Sequence, residues 1–195
     1  MRAAATVAWG VPRRAVVTPL AISPCEYQRA GGFVGSTLPP PGIRAVEFHS
    51  SSSGACVSSS GAALPGGFGW LTPDGSTCTI ALELGIWQPV ATGASPPRRC
   101  SPVDWVGTTI VLPVFVGSNG LSGSNGVLRI GGWVGFAVTG VKFPGSVGPA
   151  RTTCPSGGSA NCIVGEFRPV ELIGGGPGFA GPEFDFGARL IRLVR

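Results

Sequence analysis

The chain has 195 residues, with 14 Lys and Arg against 9 Asp and Glu for a formal charge of +5. A hydrophobic fraction of 43% beside a charged fraction of 12% does not argue for disorder, which goes with the opposite balance. The basic residues are scattered, with no run longer than Arg13-Arg14 or Arg98-Arg99, so the aromatic-interleaved basic patch that nucleic-acid binding requires is missing.

The 33 Gly and 19 Pro favour turns and break helices. Thr6 to Trp9 and Val16 to Ile22 read as short strands joined by a turn over Gly10 to Arg14. Thr37 to Gly42 contains Pro39-Pro40-Pro41, an extended loop. Arg44 to His49 alternates, with Ala45, Glu47 and His49 on one face and Val46 and Phe48 on the other. The serine run Ser50 to Ser53 is an exposed loop. From Thr79 to Trp87, Ile80, Leu82, Leu84 and Ile86 alternate with smaller or polar residues, the period of a half-buried strand. Trp87 falls out of register with that apolar face and is expected at the surface.

Ser101-Pro102-Val103-Asp104 combines a capping serine, a proline at the first helical position and an acid at the positive helix end. It predicts a short helix near 101–106, the one helix expected in the chain. Thr108 to Val116 reads as a buried strand with a bulge or edge position at Pro113. Gly-Ser-Asn-Gly occurs twice between Gly117 and Gly126, and Asn-Gly favours a hairpin. Val127 to Phe143 should return antiparallel, with Gly131-Gly132 as a bulge. Cys162 to Ile173 is the next strand and Gly174 to Pro182 a glycine-rich loop. Arg189 to Arg195 fits strand or helix, and the lack of a cap before it favours strand. The chain therefore predicts a single all-β domain over 1–195, an antiparallel β-sandwich or partly open barrel with long Gly/Pro/Ser loops.

The six cysteines, Cys25, Cys56, Cys78, Cys100, Cys154 and Cys162, are even in number and contain no C-x-x-C. Structural zinc sites bring their ligands in close pairs, so disulfides in an oxidising compartment are the better reading. The short Gly/Ser loop between Cys154 and Cys162 predicts that these two pair. Cys25, Cys56, Cys78 and Cys100 are left without assigned partners, since six cysteines allow fifteen connectivities. No apolar stretch of about 18 residues is present to span a bilayer. Arg13 and Arg14 stand where a signal peptide would need its apolar run, so the expectation is the downstream part of a longer exported protein.

Candidate chemistry is thin. Gly176-Pro177-Gly178-Phe179-Ala180-Gly181 matches G-x-G-x-x-G, but no helix follows to receive a phosphate, and no cofactor is expected. His49, the sole histidine, would have to be the base of any Ser-His-Asp hydrolase, yet no G-x-S-x-G nucleophile elbow accompanies it. Nothing selects a catalytic pair among the nine carboxylates. Asp74-Gly75-Ser76 and Glu183-Phe184-Asp185 are too sparse for calcium, and no metal is expected. Trp9, Trp70, Trp87, Trp105 and Trp133 are core candidates, with exposed members able to serve a glycan or partner platform. Trp70, inside Pro65-Gly66-Gly67-Phe68-Gly69-Trp70-Leu71, reads as structural.

The order of several segments resembles the extracytoplasmic region of actinobacterial TadE/TadG-like proteins of Flp (Tad) pilus assembly. They are Pro19 to Ser23 with Cys25-Glu26, Pro65 to Leu71, and Pro96-Pro97 with Cys100-Ser101-Pro102 and Asp104. Val111-Leu112-Pro113-Val114-Phe115 follows, then Gly135-Phe136-Ala137 with Thr139-Gly140 and Phe143, and Cys154 with Cys162-Ile163 and Gly165. A Gly-rich turn before Gly187-Ala188 closes the set, lengthened here by Phe179 to Phe186. The resemblance implies a membrane-anchored, non-enzymatic cell-surface domain whose partners are other pilus, secretion or envelope proteins. It also implies an upstream membrane helix that this chain does not contain. The alternatives are a secreted carbohydrate-binding or adhesive module using exposed tryptophans, and a secreted hydrolase dependent on His49.

Overall fold

A computed structural model describes residues 6–31, 38–48, 68–91, 93, 95–119, 126–150, 152–172, 178–181 and 184–194. Its strands are β1 (Thr6–Pro12), β2 (Arg14–Val17), β3 (Leu20–Ile22), β4 (Arg44–Phe48), β5 (Phe68–Leu71), β6 (Ile80–Glu83) and β7 (Trp87–Ala91). There follow β8 (Thr109–Asn119), β9 (Val127–Phe143), β10 (Ser146–Gly148), β11 (Asn161–Arg168), β12 (Val170–Glu171), β13 (Phe179–Ala180) and β14 (Ala188–Val194). Helix α1 covers Pro24–Arg29, and a 3-10 turn covers Pro102–Trp105.

The two longest apolar runs pair with each other, β8 lying antiparallel on β9 from Thr109↔Ala137 to Asn119↔Val127. The principal sheet runs β4-β11-β9-β7-β5-β3-β8, and β8 returns to β9. Strands β9, β7, β5, β3 and β8 thus close a ring, while β11 and β4 continue from the far half of β9 as an open wing. The expected all-β architecture of sandwich or partly open barrel holds. Parallel junctions among the described residues are β12 with β14, the short contact Ile22↔Val114 between β3 and β8, and the bridge Trp133↔Asp185.

One face of this sheet feeds a core containing Leu20, Ile22, Trp70, Leu112, Val134 and Phe136, and the other a core containing Ala21, Leu71, Phe115, Ile130 and Trp133. Side chains alternate along a strand, so keeping both cores filled along β9 requires bulges that reset the phase. The pairing Val114↔Gly132, Phe115↔Ile130 skips Gly131. Before it, Leu128 and Ile130 face the second core; after it, Trp133 does, and Val134, Phe136 and Val138 face the first. A second shift, at Thr139, between Val164↔Gly140 and Gly165↔Val138, turns Val141 and Phe143 toward the first core as well.

Two smaller layers cover the second core. The ribbon β2-β6 turns Ala15, Val17, Ile80 and Leu82 inward. The sheet β12-β14-β1-β13 contributes Val11 and Ala188 and is tied down by the Trp133 indole N–H donating to the Pro12 carbonyl at 2.9 Å.

Several local expectations are corrected. Gly10 to Arg14 is no turn: β1 continues to Pro12 and pairs with β14 and β13 rather than with β2. The segment Thr79 to Trp87 is not one strand, because Gly85, at φ 81°, reverses the chain after Leu84 and leaves Ile86 exposed. Cys162 to Ile173 is broken at Pro169, which has no N–H for a ladder. The fuller helix is α1, where the Ser23 hydroxyl accepts from the Glu26 N–H at 3.2 Å and Pro24 begins the turn. Ser23-Pro24-Cys25-Glu26 has the same S-P-x-acid form as 101–104, whose Ser101 hydroxyl makes no cap bond. The C-terminal segment, open between strand and helix, is strand β14.

Cys154 and Cys162 are joined, with sulfurs 2.09 Å apart, at the entry to β11. Glu47 of β4 accepts from the Ser156 N–H at 2.8 Å and from its hydroxyl at 2.5 Å, holding the enclosed loop on the sheet. Cys78 joins Cys100, Cys25 is disulfide-bonded as well, and Cys56 lies outside the described residues. These bonds are those of an oxidising environment. Among the described residues no helix is long and apolar enough to cross a membrane.

Loop closure makes Cys78–Cys100, separated by 22 residues, worth more than Cys154–Cys162, separated by 8. The chain-entropy model gives about 3.4 against about 2.6 kcal/mol. Urea unfolding of the two Cys→Ser double variants should show that order, and a reversed order would assign the difference to local packing. A Cβ on Gly132 would lie 2.8 Å from the Phe184 carbonyl oxygen and closer still to the Phe186 ring. Gly132→Ala should therefore cost about 2–3 kcal/mol in the same assay. Gly158→Ala, where a Cβ meets open space, should stay within about 0.5 kcal/mol.

Candidate functional site

Strands β1 and β14 come from opposite ends of the chain and pair antiparallel from Thr6↔Val194 to Gly10↔Leu190. Directly opposed residues in such a pair share a face, so Trp9 and Ile191 stand side by side. They are 64% and 52% exposed. Both line a cleft of ≈ 650 Å³ with Tyr27, Leu38, Val170, Glu171, Asp185 and Arg189.

The polar side of the cleft is built around Asp185. One carboxylate oxygen accepts from the Gly187 N–H at 2.9 Å and the other from the Arg189 guanidinium at 2.6 Å. Arg189 also lies over the Trp9 ring, 4.9 Å from its centroid, a cation–π contact that fixes the guanidinium between indole and carboxylate. Gly187, at φ 94°, allows the tight approach, since a Cβ there would run into Leu38. Glu171 sits beside Arg189 in the parallel register of β12 and β14. No ion pair or side-chain hydrogen bond engages its carboxylate among the described residues. Among the described residues the cleft thus carries two carboxylates and one guanidinium.

Tyr27 of α1 forms the buried wall. Its hydroxyl donates to the Phe186 carbonyl at 3.4 Å, and its ring packs edge-on against Phe186 and Phe167. Burial first, and then the negative charge of Asp185, push the phenol well above its usual range. It remains a neutral donor rather than a base. An apolar platform, fixed acceptors and a fixed donor make an arrangement suited to holding a ligand.

The other residues singled out from the sequence fall elsewhere. His49 and the serine run lie outside the described residues. Trp70, Trp105 and Trp133 are core. Trp87 is 46% exposed on β7, away from the cleft. Of the G-x-G-x-x-G segment, Phe179 and Ala180 form β13 on β1, and the Phe184 N–H donates to the Gly181 carbonyl at 3.2 Å. Glu83 pairs with Arg14 at 2.7 Å and Glu26 with Arg29 at 3.0 Å. Glu166 is held below the usual carboxylate range by hydrogen bonds from the Arg168 side chain and the Gly42 N–H. Among the described residues no cluster of three metal-ligating side chains occurs. The sequence offered Trp9 among five tryptophans but did not join it to Glu171, Asp185 and Arg189. The alternation Arg189, Ile191 in one strand and Val7, Trp9 in the other was readable only once the two ends were known to pair.

Fold and site together define a disulfide-stapled all-β domain with a partly aromatic, charge-lined cleft. No family model, no curated protein and no solved structure matches this chain.

Tyr27 is the sole tyrosine, so phenolate absorbance reports this wall alone. Its folded pKa is raised above the ordinary value of 10.0, so its contribution to stability is complete below that pH and is lost as pH rises through the folded value. The folded protein should show no phenolate step near pH 10, and the signal should appear on alkaline unfolding. A reversible step at the ordinary value in the folded protein would contradict the buried geometry.

Proposed function

We propose that this chain is an extracytoplasmic, non-enzymatic binding domain of the bacterial cell surface, of the TadE/TadG-like kind that serves Flp pilus assembly. On this reading it is tied to the membrane, and its neighbours are other envelope and pilus- or secretion-assembly proteins. The observation that carries the binding role is the exposed indole of Trp9, held in a cleft between Arg189 and Ile191 rather than buried like Trp70 and Trp133. Tryptophans in such settings supply much of a binding free energy. The oxidised cysteines support placement outside the cytoplasm. The segment order from Pro19 to Ala188 supports the pilus-assembly assignment.

In the producing bacterium, deletion of the gene should strip surface pili. The wild-type gene and Trp87→Ala should restore them, whereas Trp9→Ala at equal protein level should not. Normal piliation in the deletion strain would overturn the pilus role, and full restoration by Trp9→Ala would remove the cleft from it.

A further inference from the structure

Three hollows on the described surface differ in how their charges are used. The one lined by Glu26, Arg29, Arg44, Glu47 and Ser156 has its carboxylates engaged within the fold by Arg29 and Ser156. The one on the outer face of β2-β6 is bordered by the Arg14–Glu83 pair. The Trp9 cleft alone of these combines a largely exposed aromatic ring with an unengaged carboxylate, that of Glu171.

We propose that this cleft holds a pyranose unit of a neutral glycan, stacked by its C–H face on Trp9 and held through its hydroxyls by Glu171, Asp185 and Arg189. The inference rests on the binding role assigned above and names the ligand class. A pyranose has an apolar face and a hydroxyl rim, and the cleft matches both. Trp9 and Ile191 form an apolar shelf, while Asp185 and Glu171 accept from hydroxyls. Arg189, oriented by one bond to Asp185, keeps further N–H groups of its five for a ligand oxygen. Trp9 is still 64% exposed as a residue with Arg189 over its ring, so surface is left for stacking. The volume of ≈ 650 Å³ lies in the range of small-molecule sites, roughly 300–1,000 Å³.

The charge balance among the described residues narrows the class. Two carboxylates against one guanidinium there disfavour uronic acids, phosphorylated sugars and other anions, which would bring like charge to Glu171. A peptide strand is disfavoured for a different reason. The sheet edge at the cleft is β12, only 2 residues long and preceded by Pro169, too short a ladder to add a strand to. Trp9, Asp185 and Arg189 are held before the sugar arrives, because Asp185 is bonded to Gly187 and Arg189, and Trp9 and Arg189 stand on paired strands.

The test is calorimetric titration of the oxidised domain with cellohexaose, mannohexaose and maltohexaose, and with hexagalacturonate as the anionic counterpart. At least one neutral oligosaccharide should bind, and bind at least tenfold more tightly than hexagalacturonate. Trp9→Ala should weaken that binding at least tenfold with an unchanged thermal midpoint, and Trp87→Ala should leave it intact. Glu171→Gln should narrow the preference for the neutral sugar, a change that lost packing alone would not produce. The proposal is overturned by no binding of any neutral oligosaccharide at millimolar concentration, by equal binding in Trp9→Ala, or by tighter binding of hexagalacturonate. If no sugar binds while Trp9→Ala still fails to restore pili, the ligand class falls and the surface role stands.

Discussion

Strand β9, 17 residues long, is hydrogen-bonded to β7, β8, β10 and β11, and everything else in the fold is arranged around it. A strand with partners on both edges and cores on both faces has nowhere to place a polar side chain cheaply. That is why Val127 to Phe143 reads as a nearly unbroken apolar run. The same position explains its glycines. Val116 fills the space where a Gly131 side chain would go, Phe186 that of Gly132, and the backbone of Arg168 approaches Gly135. Neighbouring layers are laid against backbone at these points, and the two cores are joined tightly through the sheet.

The disulfides do their work at the margins of this arrangement. Cys78 and Cys100 pack against the edge of the first core and tie the entrance of β6 to the segment leading into the 3-10 turn. Cys154 and Cys162 close a loop that Glu47 anchors to β4. Long stretches of small residues connect short strands here, so these crosslinks restrict the unfolded chain where side-chain packing is least able to oppose its entropy.

Where the physics is local, the sequence was readable. The ends of β9 coincide with the apolar run from Val127 to Phe143, and the hairpin from β8 follows from length and the Asn-Gly signals. The alternation at Ile80, Leu82 and Leu84 marks the buried face of β6. Competing local signals account for the differences. Gly85 stops that alternation, Pro169 divides the segment from Cys162 onward, and Ser23-Pro24-Cys25-Glu26 carries the same capping pattern as Ser101 to Asp104. Other features have no local signal at all. Bulges at Gly131 and Thr139 change which parity faces which core, so no fixed period of two predicts the inward residues of β9. The cleft depends on residue 9 meeting residue 191, a pairing that no spacing rule encodes.

That pairing has a mechanical side. Thr6 opposes Val194 at one end of the β1–β14 ladder, so tension between these two ends would load the ladder in peeling mode, one rung after another, rather than in shear across all rungs together. The Trp9–Ile191 rung would part only after the three rungs before it, and with it the seat of Arg189 on the indole. A ligand spanning that rung would act as a clasp, and the grip of the domain on its target would be tied to the force it bears.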